Sequence, residues 1–323
     1  MMLCRRMSPP RLSRRGRRRC ISIRMHSRIK FLRICHTGVG AHVRLPFFIG
    51  NLGRHDKSAM NLITWNVNKR KAVDRQMAAL IERSPDMIAL QEVSLSTLPR
   101  WREALTEWGY PHVVDSYHDG HMPRRSFVMT GSRYPLVARE TTGIAWAQGI
   151  VSAWVETPAG VVDVTNVHVP SIGRYQYELK AGFMEGVFSR VARHGDYPRV
   201  LCGDFNSPQM ETSGGEVITF CQTRRADGTW KVMRGWERMH QAERNLLVGL
   251  DAFGMVDAYR AVHGYEKQDS SWYAKSKGRL FGFRLDHVIA SRSLKPTRFE
   301  YLHEWRDTNL SDHAAADVTF SFL

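Results

Sequence analysis

The sequence predicts an α/β or α+β domain rather than an all-β or an all-helical one. Short apolar runs rich in Val, Ile, Leu and Trp recur along the chain as candidate strands. Two stretches between these runs carry an apolar stripe with helical spacing. Because strands and helices alternate along the chain, both kinds of element must contribute to one layered core.

Nine segments are predicted to be strands. Each is short and apolar, and turn residues or helical patterns separate it from the next. Their lengths and compositions fit strands that are largely buried. They are residues 61–67, 86–90, 126–131, 150–156, 161–168, 199–204, 285–290, 297–302 and 315–322.

Two segments are predicted to be helices because their apolar residues share one helix face. Apolar residues of segment 71–83 follow the i, i+4, i+7, i+8 spacing, and those of segment 174–193 recur at steps of four. The residues are Val73, Met77, Leu80 and Ile81 in the first segment, and Leu179, Phe183, Val187 and Val191 in the second.

Residues 208–250 form an unusually long interval between two predicted strands. The interval is charged, contains Trp residues and includes the turn signal Gly214-Gly215. A connection of this length is either a surface elaboration or a loop that faces substrate. The sequence leaves both interpretations open.

The positive charge of the chain is concentrated at its N-terminus. The formal net charge is +16, and residues 1–57 contribute +14 of it through 15 of the 47 Lys and Arg residues and a single acid, Asp56. The rest of the chain is therefore close to neutral. Its overall charge does not argue that the folded part binds nucleic acid.

We interpret residues 1–59 as a basic leader without a folded core and residues 60–323 as one folded domain. An Arg-rich, acid-poor leader fits a mitochondrial transit peptide, a disordered nucleic-acid-binding arm, or a translation start assigned too early. Met60 directly precedes the first predicted strand, as an initiator would. Charged residues interrupt every apolar run of the leader, so a secretory signal is not expected.

The cysteine content favours a reducing cytoplasm. Only Cys202 and Cys221 lie outside the leader, and they lack the paired spacing of a zinc site or a disulfide framework. Cys202 is expected to be a small core residue. The chain has no apolar run of transmembrane length.

Polar blocks stand at the ends of the predicted strands. In the block Gly203-Asp204-Phe205-Asn206-Ser207, strand alternation would place Asp204 and Asn206 on one face. The carboxylate can hold Mg²⁺ or orient a water, and the amide can donate to a developing oxyanion. A single block of this kind also fits an ordinary turn. The others are Trp65-Asn66-Val67-Asn68, Gln91-Glu92, Asn166-Val167-His168-Val169-Pro170, Arg284-Leu285-Asp286-His287 and Ser311-Asp312-His313.

In composition and order these blocks resemble the endonuclease/exonuclease/phosphatase superfamily of Mg²⁺-dependent phosphoesterases. The resemblance covers roughly residues 60–323. It implies a four-layer sandwich in which two mostly antiparallel β-sheets pack face to face between outer helices. It also implies a catalytic domain that uses Mg²⁺, with Mn²⁺ as an alternative ion.

The resemblance implies a metal site at Glu92, Asn66 and Asp312. Glu92 follows the buried run 87–90, and the matching Glu is the main metal ligand in the superfamily. Asn66 would support the ion or its water. Asp312 would complete an oxygen-rich shell of the kind that Mg²⁺ prefers.

The catalytic groups are expected to be His168, Asp204, Asn206, Asp286 and His313. The superfamily pairs the positions of Asp286 and His313, where a carboxylate would fix the imidazole tautomer. His168 stands where exonuclease III and the abasic endonucleases carry Tyr, whereas deoxyribonuclease I and the sphingomyelinases carry His. It could contact phosphate or protonate the leaving oxygen. His287 is expected to be structural.

Three further residues are candidate substrate contacts. Arg125, from the pair Arg124-Arg125, could clamp phosphates, although a solvated loop charge explains it equally well. Trp272 and Phe283 could stack on a sugar or an unstacked base, as aromatics of the exonuclease III branch do, or they could be core residues.

These features favour a Mg²⁺-dependent phosphodiester hydrolase, and within that class a nuclease with endo- or exonucleolytic action on nucleic acid. The alternative is a phosphoesterase for a phospholipid head group, as in sphingomyelinases, or for an inositol phosphate. His168 and the near-neutral domain favour this alternative. A third hypothesis, a non-catalytic nucleic-acid-binding protein, is opposed by the full set of acids and His313. The oligomeric state is not readable from the sequence.

Overall fold

The computed structural model describes residues 59–118, 126–171 and 177–323. These residues belong to a unit that spans Arg54–Leu323. The predicted leader up to residue 58 lies outside the described residues. The Arg124-Arg125 pair lies outside them as well. The roles predicted for the leader and for Arg125 therefore stay predictions.

The nine predicted strands are all present, with shifts of a few residues at their ends. Edge strands and three small hairpins add to them. In chain order the strands of the described part are β1 (Ala59–Asn66), β2 (Met87–Ser94), β3 (His112–Asp115), β4 (Ser126–Ser132), β5 (Leu136–Arg139), β6 (Ile150–Thr157), β7 (Gly160–His168), β8 (Arg199–Asp204), β9 (Met210–Glu211), β10 (Val217–Ile218), β11 (Gln222–Arg224), β12 (Trp230–Val232), β13 (Met255–Asp257), β14 (Trp272–Ser276), β15 (Arg279–Phe283), β16 (Asp286–Ser291), β17 (Leu294–Leu302) and β18 (Ala315–Phe322).

Both predicted helices are present as well. The first ends where Ser84 adopts the left-handed conformation and its N–H bonds back to the Leu80 and Ile81 carbonyls, a common way to close a helix. The helices of the described residues are α1 (Val73–Arg83), α2 (Leu98–Glu107), α3 (Tyr177–Val191), α4 (Glu237–Leu247), α5 (Ala258–His263) and α6 (His303–Asp307). Among these residues, no helix is both long and apolar enough to cross a membrane.

Two six-stranded sheets form the framework. The first has the order β17-β18-β1-β2-β4-β3 and the second β13-β16-β8-β7-β6-β5. Each sheet contains one parallel pair, β1 with β2 and β7 with β8, and its other pairs are antiparallel. The prediction of two mostly antiparallel sheets is confirmed.

The strands at the centre of each sheet are buried on both faces. Leu62 of β1 and Val200 of β8 face the core between the sheets, whereas Ile63 and Leu201, the next residues, face outer clusters. Helices α1 and α2 contribute to the outer cluster of the first sheet, and α3 and α4 to that of the second. The four-layer sandwich is therefore confirmed, and it explains why these strands are continuous apolar runs.

The interval 208–250 is folded in large part. It contains the hairpins β9-β10 and β11-β12, and its C-terminal part contains helix α4. Cys202 and Cys221 are free and buried, as expected for Cys202.

Candidate active site

Strand register brings three predicted catalytic residues side by side. Strand β8 lies between β7 and β16, and its last residue, Asp204, is paired with His168 on one side and with Asp286 on the other. A Cβ on Gly203, which has φ of +132°, would lie 1.9 Å from the Val167 carbonyl oxygen. Only glycine therefore lets β8 approach β7 closely enough to build this row.

The first sheet supplies the opposite side of the site. Asn66 ends β1 and donates from Nδ2 to the Asp204 Oδ2 atom over 3.0 Å. A second link between the sheets runs from Gln91 Nε2 of β2 to Asn166 Oδ1 of β7 over 2.7 Å and is fully buried. These bonds fix the strand ends of the two sheets against each other, so the polar blocks face a common cleft.

Glu92 is aimed into the cleft by an irregularity of its strand. The register of β2 against β4 shifts between Leu90 and Val93, and Glu92 has φ of +55°. A bulge of this kind redirects a side chain next to a functional site. The Glu92 carboxylate contacts Lys69 Nζ at 2.7 Å and His168 Nε2 at 3.5 Å.

The charges around Glu92 favour its ionised form. Burial alone would raise the pKa of this carboxyl, but the attraction of His168 and the hydrogen bond from Lys69 lower the pKa below its ordinary value. Glu92 is thus a partly buried carboxylate that already pairs with the Lys69 ammonium.

His313 and Asp286 form a buried pair. His313 Nδ1 lies 2.8 Å from Asp286 Oδ2, and its Nε2 lies 4.0 Å from Asp204 Oδ2. Burial alone would lower the pKa of His313, but the Asp286 carboxylate raises it to about 10. The imidazole is therefore protonated at neutral pH, with Nδ1–H donated to Asp286 and Nε2–H directed at Asp204.

Several buried bonds hold this pair in place. Trp65 Nε1 donates to the His313 carbonyl over 3.1 Å, and Tyr301 donates its hydroxyl to the Asp286 carbonyl over 2.6 Å. Ser271 Oγ accepts the Asp286 N–H over 3.1 Å. These hydrogen bonds to the backbone of His313 and Asp286 fix the positions from which both side chains extend.

Asp204 is buried at the centre of the site. Asn66 Nδ2 and the Asn206 N–H donate to its two oxygens over 3.0 and 2.8 Å, and His168 Nε2 lies 3.7 Å from Oδ2. Burial raises the pKa of Asp204, and the attraction of His313 opposes that rise. A carboxylate with a raised pKa is a stronger base than an exposed one.

Asn206 reaches the cleft by a different route from the one predicted. Strand β8 ends at Asp204, and Asn206 lies beyond it with φ of +47°, so strand alternation does not orient it. Its Nδ2 donates to the Val169 carbonyl over 2.9 Å and lies 3.3 Å from Asp204 Oδ2. The amide still lies beside Asp204 and lines the cleft.

The cleft brings together most of the predicted site residues. It has a volume of about 260 Å³, and Trp272 donates from Nε1 to Asp312 Oδ2 over 3.2 Å on its wall. Asn66 and Asp286 sit behind the cleft in contact with Asp204 and His313. The lining residues are Lys69, Glu92, Ser126, Trp146, His168, Ser171, Asp204, Asn206, Trp272, Leu285, Asp312 and His313.

An aromatic pocket of about 300 Å³ adjoins the cleft and shares Asn206, Trp272 and Leu285 with it. Phe220 and Trp236 complete its lining. Phe283, which pairs with Trp272 across the β14-β15 hairpin, stacks on Phe220 with ring centroids 5.7 Å apart. The predicted aromatic contacts are thus next to the cleft.

Sequence reasoning missed several lining residues, among them Lys69 and Trp146 of the cleft and Phe220 and Trp236 of the aromatic pocket. Lys69 directly follows the Trp65–Asn68 block, and this position in the sequence was the one signal that could have placed it at the site. His287, expected to be structural, is fully buried and donates from Nε2 to the Ser207 carbonyl over 2.8 Å.

The residues present fit a hard divalent cation. Glu92 and Asp312 offer carboxylate oxygens in the cleft, and the Lys69 ammonium shows that Glu92 accepts a positive partner there. Asn66 Oδ1 already accepts the Asn68 N–H over 2.9 Å, so Asn66 has only one further lone pair to offer. Atoms of Asp204, Asp286 and His313 also lie within 4.8 Å of one another.

The chain is similar to several known nucleases. It is 25% identical over 248 residues to Exodeoxyribonuclease III of Haemophilus influenzae, covering 73% of this chain and 89% of that protein. It is 24% identical over 275 residues to an Exodeoxyribonuclease of Bacillus subtilis, covering 80% and 98%. An AP endonuclease structure from Archaeoglobus fulgidus superposes with a TM-score of 0.60 at 20% identity, covering 81% of this chain and 99% of that one.

The family profile for the Endonuclease/Exonuclease/phosphatase family matches residues 63–313, a range that begins in β1 and ends at His313. It includes every predicted site residue. The chain therefore belongs to the Endonuclease/Exonuclease/phosphatase family and is a hydrolase that acts on phosphodiester bonds.

Proposed function

We propose that this chain is a Mg²⁺-dependent nuclease that hydrolyses phosphodiester bonds of DNA. One observation carries the proposal: Asp204, a buried base, faces the protonated His313 at 4.0 Å in the same cleft as Glu92. Hydrolysis of a phosphodiester needs a base for water and donors for the charge that develops on phosphorus. The cleft offers both.

Asp204 is the proposed base. Its buried carboxylate is oriented by Asn66 and by the Asn206 N–H, and its raised pKa suits it to take a proton from the attacking water. The Asn206 amide lies on the same side of the cleft; its Nδ2 donates to the Val169 carbonyl and to Asp204 Oδ2, and it would exchange the longer bond, to Asp204, for one to a non-bridging oxygen.

His313 is the proposed charged donor. Asp286 keeps its imidazole protonated and oriented, so Nε2–H faces the place where the phosphate would lie. His168 Nε2, 3.7 Å from Asp204, would contact another phosphate oxygen. Both groups stabilise the negative charge of the transition state more than that of the substrate.

Glu92 and Asp312, supported by Asn66, would hold Mg²⁺, and Mn²⁺ as an alternative. The ion would supply positive charge against the non-bridging phosphate oxygens. Glu92 is well suited to this role because its pKa is held below the ordinary value, so the carboxylate stays ionised.

The aromatic pocket supports nucleic acid as the substrate. Phe220, Trp236 and Trp272 are half-buried and line a space of about 300 Å³ next to the reacting groups, and aromatic rings that face a pocket stack on nucleotide bases. The two exodeoxyribonuclease relatives support DNA. The predicted alternative, a phosphoesterase for a phospholipid head group or an inositol phosphate, is favoured by the presence of His168 and by the near-neutral charge of the domain.

A substrate screen of the full chain tests the proposal. The substrates are supercoiled plasmid, duplex DNA with an abasic site, duplex DNA with a recessed 3′ end, RNA, sphingomyelin and an inositol polyphosphate, each with Mg²⁺ or with EDTA. We expect Mg²⁺-dependent cleavage of at least one DNA substrate. Turnover of sphingomyelin or of the inositol phosphate with all DNA intact would contradict it and favour the alternative.

A further inference from the structure

A fully buried ion pair contacts the loop after β8, which carries Asn206 and Ser207. Lys180 of α3 and Glu243 of α4 have side chains with no solvent exposure, and Lys180 Nζ lies 3.4 Å from Glu243 Oε1. Burying two charges costs several kcal/mol per ion before their attraction is counted, so such a pair is weak evidence for stability by itself. Its contacts indicate what else it does.

The Lys180 ammonium binds the loop that carries Asn206. Nζ donates to the Asn206 carbonyl over 2.7 Å and to the Ser207 hydroxyl over 2.8 Å. Asn206 has φ of +47°, a left-handed conformation that costs free energy for a residue other than glycine. A charged hydrogen bond to its carbonyl fixes the following peptide and so stabilises this conformation.

That conformation sets the position of the Asn206 amide. The backbone N–H of Asn206 bonds to Asp204 Oδ1 over 2.8 Å, and its side-chain Nδ2 lies 3.3 Å from Asp204 Oδ2. The preceding peptide sets the direction of the Asn206 N–H, whereas the direction of the side chain changes with φ. If Asn206 left the left-handed region, its Nδ2 would turn away from Asp204 Oδ2. Lys180 therefore acts, through one carbonyl, on the amide beside the base.

Glu243 connects this support to the long interval 208–250. Its Oε2 accepts the Phe220 N–H over 3.3 Å, and Phe220 lines the aromatic pocket. Attraction to Glu243 opposes the burial that lowers the pKa of Lys180. Residues 208–250 thus supply Glu243 of the ion pair and Phe220 of the aromatic pocket.

We propose that Lys180 and Glu243 are positioning residues that hold Asn206 beside Asp204 for the chemical step. The proposal rests on the nuclease function proposed above. Neither sequence interpretation of residues 208–250 included this role for α4, in which Glu243 pairs with the lysine that binds the Asn206 carbonyl.

The test variant is Lys180→Met/Glu243→Gln. It removes both charges, keeps side-chain volumes similar and leaves Gln an oxygen for the Phe220 N–H, so neither partner is left as a lone buried charge. We expect a thermal transition close to that of the wild type, an unchanged KM for DNA, and kcat lower by about 10-fold or more, since a small misplacement of a catalytic group has an effect of that order.

A double-mutant cycle identifies the residue through which the pair acts. In an Asn206→Ala background, where the amide is already absent, the same two substitutions should lower kcat by less than about 2-fold further. The matched control is Arg139→Met/Asp163→Asn, which removes a partly buried ion pair between β5 and β7 away from the cleft. It should leave kcat unchanged.

The outcomes separate the two proposals. If the wild type hydrolyses no phosphodiester, the proposed function fails. If the wild type is active and the folded pair variant keeps its kcat, or lowers it equally with and without the Asn206 amide, the positioning role is wrong. Should the variant not fold, Lys180→Met/Glu243→Met replaces it, and failure of both to fold would make the pair purely structural and overturn the proposal.

Discussion

His313 Nδ1 lies 2.8 Å from Asp286 Oδ2; Asp286 begins β16 of the second sheet, and His313 lies two residues before β18 of the first. The pair therefore joins the sheets at the cleft and determines the charge of the imidazole. Because Asp286 raises the pKa of His313 to about 10, the imidazole serves better as a donor than as a base. Asp204 is left as the base.

Asp286→Asn should move the alkaline limb of the kcat profile to lower pH. The carboxylate raises the pKa of His313 against the effect of burial, so its loss lets burial lower the pKa. Wild-type kcat should hold until the pH approaches about 10, whereas the variant should lose activity above about pH 6 to 7. The measurement is kcat on DNA against pH, with the exposed Asp307→Asn as control. An unshifted limb would contradict the assignment.

The same pair predicts a pH dependence of stability. A pKa raised by folding stabilises the protein fully below the unfolded value near 6.5, and this contribution is lost as the pH rises through about 10. Asp286→Asn should abolish that alkaline loss.

Glu92→Gln should raise the Mg²⁺ concentration needed for half-maximal rate by about 10-fold or more, because the substitution keeps the shape but removes the charge that attracts the ion. A Mg²⁺ titration of the rate on DNA measures the effect. Glu156→Gln, an exposed position on β6, serves as the control. Wild-type turnover of the Glu92 variant at low millimolar Mg²⁺ would remove Glu92 from the metal site.

Glu211→Gln should reduce stability at neutral pH and flatten its dependence in acid. Burial alone would raise the pKa of Glu211, but Arg284 and Arg260 lower it to about 2. The contribution of Glu211 to the free energy of unfolding is therefore complete above about pH 4.5, and it is lost as the pH falls towards 2. Removing one partner of a buried pair costs about 3–5 kcal/mol. Urea unfolding at several pH values measures both effects, and parallel wild-type and variant curves would contradict the pairing.

Removal of residues 1–59 should leave the thermal transition and the rate on bis-p-nitrophenyl phosphate unchanged, because every residue of the proposed active site lies within the range 63–313 that matches the family. If the leader binds nucleic acid, the truncated protein should also lose DNA affinity, with a salt dependence flatter by about 0.9 log units per lost phosphate contact. A lowered thermal transition would show that the leader stabilises the domain.

The central strands were predictable because burial on both faces makes them continuous apolar runs, as in β1 and β8. Edge strands β3 and β5 have four residues each and are only partly buried, so they lack that signal. Helix α2 escaped prediction although Leu98, Trp101 and Leu105 share a face, since charged residues and Pro99 interrupt the stripe.

The site was predictable to the extent that its residues end strands. His168 and Asp204 end β7 and β8, Asp286 begins β16, and these three strands are neighbours in the sheet, an order that the sequence did not predict. Lys180 and Glu243 carry no such signal, since charged residues on amphipathic helices are normally solvated. Their burial follows from the packing of α3 and α4, which a single sequence does not specify.

The most direct test of the account is kcat on DNA at saturating Mg²⁺ for Asp204→Asn and His313→Ala. With Asp204 as base and His313 as charged donor, each substitution should lower kcat by about 10²-fold or more while the thermal transition changes little. Retained kcat with only a raised KM would mean that these residues bind substrate without taking part in the chemical step, and it would contradict the account.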